Sequence, residues 1–296
     1  MQQRILITGA SGNIGREIVS RLKERQIDFI AASRDESYFS PEIRQRLFDY
    51  SQSPLLEYLW KEADVLFLLI PLSPSMKEYA RRAIQAAQKS KIQFILFNSM
   101  LGANPDSSYL LQQVHGEIES LLDMSGIPWA AIRGNRFMQG FVRRHLEDLR
   151  QGAVFLPERD AKSSFVDTRD VADVAVDILL NPMKHIGKIY NLTGPEALTI
   201  EEMVAEVSKI VGHRIAYVPV TEAAARHRML REGGDLWTTE AILSQYRAAR
   251  EGATAAISPH YRDLRGVEPR RFADLVWEMA DFIREGSVES FRSPEI

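Results

Sequence analysis

The chain contains no cysteine among its 296 residues. That excludes disulfides, thiolate metal sites and cysteine nucleophiles, and it suits a cytoplasmic protein. No apolar run approaches the roughly 20 residues that a membrane helix needs. The first four residues lead straight into an apolar strand, so no secretory leader is expected there. Neither sign of charge dominates: 37 Lys and Arg face 40 Asp and Glu, a net of −3. There is therefore no electrostatic case for nucleic acid or an anionic membrane as partner. Internal repeats and low-complexity segments are missing as well. With 45% hydrophobic and 26% charged residues, the chain is long enough for one large α/β domain or a domain plus a lobe.

The most informative stretch is Arg4 to Gly15. Ile5 to Ile7 reads as a buried parallel strand. It breaks at Thr8-Gly9, and apolar residues then recur at Ile14, Ile18, Val19 and Leu22 with helical spacing. Gly9, Gly12 and Gly15 thus fall on a strand-to-helix turn, as in a dinucleotide fingerprint, with the spacing G-x-x-G-x-x-G. Gly9 would allow the tight turn, Gly12 the approach of a pyrophosphate and Gly15 close packing of helix on strand. Ser11, Gly12, Asn13 and Ile14 would surround the phosphates at the positive end of the helix dipole.

Strand then alternates with helix, the pattern of a doubly wound parallel sheet. Asp28 to Ser33 reads as the second strand. It ends at Ser33-Arg34, a hydroxyl and a guanidinium suited to a 2′-phosphate, where an NAD enzyme usually has an acid. Arg46 to Phe48 reads as a third strand leading to Asp49-Tyr50; Asp49 would face the adenine or merely form a turn. Val65 to Ile70 is a fourth strand, with Leu69, Ile70 and Pro71 bordering the cofactor. Gln93 to Phe97 is a fifth, delivering Asn98, Ser99 and Met100 to the carboxyl end where ligands bind. Ser108 to Met124 is a long helix carrying Tyr109 and His115, and Trp129 to Arg133 a sixth strand followed by Asn135.

Beyond residue 138 the pattern changes. Met138 to Arg150 reads as one helix, Ala153–156 and Ser164–166 as short strands, and Ile189–192 as a strand returning to the main sheet. Helices are expected from Asp167, Thr199, Glu222, Thr238 and Arg271, and Gly286 to Ile296 as a loose tail. The expected organisation is a dinucleotide-binding domain over 1–150 and a smaller α+β substrate lobe over 151–296. Phe137, Met138, Phe141 and Trp237 would form an apolar substrate wall with Met100. The pairs Arg143-Arg144 and Arg270-Arg271 read as solvated faces.

These motifs together resemble the NmrA-like branch of the atypical short-chain dehydrogenase/reductases. Within it the bacterial type 2 NAD(P)H:quinone oxidoreductases and triphenylmethane reductase-like proteins are most similar. The carriers are Thr8 to Gly15, Arg34, His115 to Glu119, Ser125-Gly126-Ile127-Pro128, Phe165 to Ala172, Tyr190 to Pro195 and Gly266 to Pro269. The resemblance implies a Rossmann-type fold, NADP(H) rather than NAD(H), a small-molecule substrate, and a monomer or homodimer. It also exposes a departure. Aligning His115 with the lysine of the usual Tyr-x-x-x-Lys pair puts Leu111 at the tyrosine, and a leucine moves no proton. Tyr109 lies on another helix face. Gly134-Asn135 reverses the Asn-Gly of relatives, Asn135 being able to take positive φ, and Gly140 replaces an asparagine. The expected activity is hydride transfer to a quinone, imine, enone or cationic aromatic, with His115 and Ser99 as catalytic candidates and His115 also a holder of the ribose. The alternatives are an NADP(H)-sensing regulator and a nucleotide-sugar epimerase or dehydratase.

Overall fold

A computed structural model describes residues 3–35 and 39–285; the expected tail over 286–296 lies outside them. The main sheet joins β1 (Ile5–Thr8), β2 (Phe29–Ser33), β3 (Gln45–Leu47), β4 (Val65–Leu68), β5 (Phe94–Met100), β6 (Trp129–Gly134) and β8 (Ile189–Leu192). Its order is β3-β2-β1-β4-β5-β6-β8, and every pairing is parallel. The order reverses between β1 and β4, the switch point where such sheets hold ligands. A small second sheet pairs β7 (Ala153–Leu156) with β9 (Ala216–Pro219).

Alternation along the buried strands decides the layers. Ile5, Ile7, Phe29, Ala31, Val65, Phe67, Phe94 and Leu96 turn to one face. There α1 (Asn13–Glu24) contributes Ile14, Ile18 and Leu22, and α7 (Thr168–Leu180) contributes Val171, Val174 and Ile178. Leu6, Ile30, Leu66, Leu68, Ile95 and Phe97 turn to the other face, under α2 (Ser53–Trp60), α3 (Met76–Ser90) and α4 (Leu110–Ser125). A third core lies in the lobe. It is made by α5 (Met138–Arg144), α6 (Leu146–Gln151), α8 (Ile200–Val211), α9 (Glu222–Arg231), α10 (Leu236–Arg250), α12 (Phe272–Glu278) and α13 (Ala280–Glu285), while α11 (His260–Arg265) sends Tyr261 back to the first core. The cores interleave along the chain: α7 and β8, past residue 150, complete the sheet layer, while α5 and most of α6, before it, build the lobe.

Several elements differ from expectation. The single helix over 138–150 is two, because His145 (φ −107°, ψ 18°) leaves helical geometry between α5 and α6. Ser164 to Val166 makes only isolated bridges; the Ser164 hydroxyl and carbonyl are bonded to Asn135, and its amide and hydroxyl to the 254–256 segment, in place of a strand ladder. Asp235 and Arg271 are the residues before α10 and α12, so these helices start at Leu236 and Phe272. The helices α2 and α11 add to the elements read from sequence. Among the described residues no helix is long and apolar enough to cross a membrane.

Candidate functional site

A cavity of about 380 Å³ opens at the carboxyl ends of β1, β4, β5 and β6, the size of a small-ligand site. The first turn forms one wall. Gly9 has φ +65°, and a Cβ on Gly15 would stand 2.2 Å from the Gly9 carbonyl oxygen. Both glycines therefore do what the spacing implied. Gly12 precedes α1 with extended backbone, no side chain caps the helix and no acid occupies its first turn. Gly12, Asn13 and Ile14 line the cavity edge; the Gly12 amide donates to the Gly9 carbonyl at 2.9 Å, and the amides at the start of α1 have no partner within the helix. Ser11 sits in the turn but outside the lining.

The neighbouring wall is clamped. The Leu69 amide donates to the Thr8 hydroxyl at 2.9 Å, and the Tyr50 hydroxyl donates to the Leu69 carbonyl at 2.9 Å. Leu69, Ile70 and Pro71 line the cavity. Tyr50 is buried, stacked with Tyr79 and edge-on to Phe48, and burial raises its pKa. It is thus a positioning residue rather than a direct contact. At the end of β2 the Ser33 hydroxyl is tied to the Asp35 backbone. Arg34 is exposed and forms no ion pair with a carboxylate among the described residues. Asp49 accepts from the Ser51 amide at 2.8 Å; that bond, more than the nearby Arg34 charge, lowers its pKa. The turn reading of Asp49 accounts for its contacts.

The catalytic candidates change character. Leu111, in the tyrosine's place, and His115 both line the cavity. Burial pushes the His115 pKa down to about 4; its ring keeps some surface, yet Nδ1 is covered and meets no described partner. It is a neutral imidazole at pH 7, which leaves holding the ribose or the substrate, rather than giving a proton, as the role open to it. Ser99 also lines the cavity, but its hydroxyl donates to Glu119 Oε1 at 2.6 Å, and Glu119 is ion-paired with Arg133. Its hydrogen is committed to a buried carboxylate. Asn98 lines the cavity with a buried, unpartnered Oδ1. Tyr109 points away, its hydroxyl donating to Glu251 at the surface.

Asn135 is a tether. Its amide donates to the Ser164 carbonyl and hydroxyl and to the Thr254 carbonyl, at 3.1, 2.9 and 2.9 Å, and its Oδ1 accepts from the Arg136 amide. Its donor capacity is spent on the lobe segment, and the residue is not at positive φ. Met100, Phe137 and Phe141 line the cavity as expected; Met138 and Trp237 do not. Met138 belongs to the lobe core and Trp237 packs against the α3–α4 side of the sheet. Gly140 lines the cavity with room for a side chain, since a Cβ there meets only Phe137 at 3.7 Å.

Sequence reasoning missed the lobe wall. Arg136 is held by Glu158, with N–O distances of 2.5 and 2.7 Å, and lies 4.5 Å over the Phe165 ring and 5.5 Å from that of Tyr246. Burial opposes its charge, and Glu158 more than offsets that. Ile242, Gln245 and Tyr246 reach the cavity from α10, and Arg144 and His145 from the α5–α6 junction. Burial lowers the His145 pKa against the partial opposition of Asp148. The spacing of 242, 245 and 246 marks one helix face, but nothing local tells which way that face points.

The glycine turn, its uncapped helix and the covered polar atoms of Asn98 and His115 fit a dinucleotide lying across the switch point. Comparison with known proteins agrees on the fold. The NmrA-like family model matches residues 1–258. The chain belongs to the NmrA-like family. It is 28% identical to the NAD(P)H azoreductase of Xenophilus azovorans, over 92% of this chain and 96% of that one. It is 30% identical to the (4-alkanoyl-5-oxo-2,5-dihydrofuran-3-yl)methyl phosphate reductase of Streptomyces griseus, over 94% and 98%. The structure of the Escherichia coli quinone oxidoreductase QOR2 with NADPH superposes with a TM-score of 0.81 at 24% identity, covering 92% of this chain and 98% of that one.

Proposed function

We propose that this NmrA-like protein is an NADPH-dependent reductase that passes hydride to a small electrophile such as a quinone, imine, enone or cationic aromatic. The observation that carries the reading is a built dinucleotide turn opening on a largely apolar cavity in which Leu111 stands four residues before His115, where the usual pair has its proton-donating tyrosine. The reductase names of the relatives support it, an azoreductase and a dihydrofuranylmethyl phosphate reductase among them.

When bound, the reduced nicotinamide supplies the hydride. The chain would do the rest. The α1 amides would take the pyrophosphate, and Arg34 the 2′-phosphate. Leu69 to Pro71, Asn98 and His115 would hold the ribose and carboxamide. Phe137, Phe141 and Met100 would orient the acceptor and exclude water. Neutral His115 can donate an N–H hydrogen bond but has no proton to give at pH 7, and Leu111 has none at all. The acceptor must therefore need little acid assistance. That argues against carbonyl reduction and against epimerase chemistry, which would need a tyrosine here.

A second reading, an NADP(H) sensor without turnover, is compatible with the same missing tyrosine. Steady NADPH oxidation on a panel of quinones, azo compounds and activated enones supports the reductase. Tight NADPH binding with no turnover on any of them overturns it in favour of the sensor.

A further inference from the structure

Hydride transfer leaves one feature of the cavity unused. Its charged lining side chains are Arg136 and Arg144, and no Asp or Glu among the described residues lines it. Arg136 is neutralised by buried Glu158. Arg144 is not: it ends α5, is exposed, and makes no ion pair with a described carboxylate. It stands beside the Tyr246 phenol, with His145 and the amide of Gln245 on the same wall. The Gln245 side chain is only half-buried and makes no hydrogen bond within the described protein. Arg144, bonded to a phenol and to no carboxylate, and Gln245 thus lie without an anionic partner on the lobe side, away from the sheet-side turn that would receive the pyrophosphate.

A ligand that filled this cavity would strip water from Arg144. A neutral ligand returns at most a single-charge hydrogen bond for that desolvation, whereas an oxyanion returns a stronger, often bidentate ion pair. We infer that Arg144 and Gln245 form a seat for an oxyanion substituent, so that the preferred acceptors are planar electrophiles bearing a carboxylate, sulfonate or phosphate. This rests on the reductase reading of the same cavity. Arg144, read from sequence as part of a solvated face, becomes the residue that sets acceptor charge.

The test titrates the full chain, saturated with NADP⁺, with naphthalene-2-sulfonate and with its neutral isostere naphthalene-2-sulfonamide. In parallel, NADPH oxidation is followed with 1,4-naphthoquinone and its 2-sulfonate. The sulfonate should bind about tenfold or more tightly than the sulfonamide. Arg144→Gln should reduce that ratio to about one, and Arg144→Lys should restore part of it. Equal binding in the wild type, or an unchanged ratio in Arg144→Gln, overturns the seat. A parallel loss of NADP⁺ affinity in Arg144→Gln would assign the guanidinium to the cofactor and overturn it too. An Arg144-dependent sulfonate preference without turnover of any acceptor would support the seat and overturn the reductase reading. Turnover without the preference would overturn the seat alone.

Discussion

At the scale of single residues, His115 shows how burial outweighs residue type. The sequence offers it as a catalytic candidate and a holder of the ribose, and desolvation, which holds its pKa near 4 against 6.5 in water, leaves it no proton to give at pH 7. Between those values the unfolded chain binds a proton that the folded chain refuses. Stability therefore rises with pH from about 4 to 6.5 and is flat above, by at most about 3 kcal/mol. His115→Gln should flatten that segment of a urea-midpoint-against-pH curve; an unchanged slope would mean the imidazole is not the titrating group. In kcat/KM no inflection near pH 6–7 should belong to His115. Gly15 and Gly140 make an opposed pair. Gly15→Ala drives a methyl to 2.2 Å from backbone and should cost ~1–3 kcal/mol together with NADPH binding. Gly140→Asn brings a Cβ only into ordinary contact with Phe137, at 3.7 Å, and should shift the urea midpoint little. The glycine roles were legible because a turn and its helix are local. The roles of Ser99, Tyr50 and Asn135 were not, because their partners lie 20 (Glu119), 19 (Leu69) and 119 (Thr254) residues away in the chain.

Secondary-structure elements were legible where periodicity and buried alternation coincide, as in β1, β2, β4 and β5. They were less so at the lobe, where packing overrides pattern: the bridged segment at Ser164 follows from bonds to Asn135 and Thr254, 29 and 90 residues away. The start of α8 was recoverable from capping chemistry. Thr199 and Glu202 form a reciprocal capping box at α8, with bonds of 3.1 and 2.8 Å. Thr199→Ala should lower stability by ~1 kcal/mol in urea denaturation while leaving NADPH affinity unchanged, since α8 lies away from the cavity. A matched loss of affinity would mean that the lobe and the cofactor turn are energetically coupled.

For the whole molecule, the site exists because two bodies of packing meet on it. The sheet brings the glycine turn, Asn98 and His115. The lobe brings Phe141, Arg144 and α10, and the Arg136–Glu158 pair lies between β6 and the segment after β7. Glu158 is 1% exposed, so Arg136→Met should destabilise by ~3–5 kcal/mol through an unpaired buried charge, and adding Glu158→Leu should recover much of it. A double mutant no more stable than the single would show that the guanidinium's ring contacts, not the ion pair, hold the wall. The doubly wound parallel sheet follows from sequence pattern, and the cofactor class from that pattern with the family resemblance; the lobe wall does not, because α10 is about 100 residues from β6 in the chain and its orientation is a tertiary outcome.

The central claim is that the first turn and Arg34 bind NADPH. It is tested most directly by titrating wild type and Arg34→Ala with NADPH and NADH. The account predicts micromolar NADPH binding, about tenfold or more tighter than NADH, with that advantage lost in Arg34→Ala while NADH affinity holds. Equal affinity for the two nucleotides would contradict the role given to Arg34. Binding of neither would contradict the reading of the turn itself.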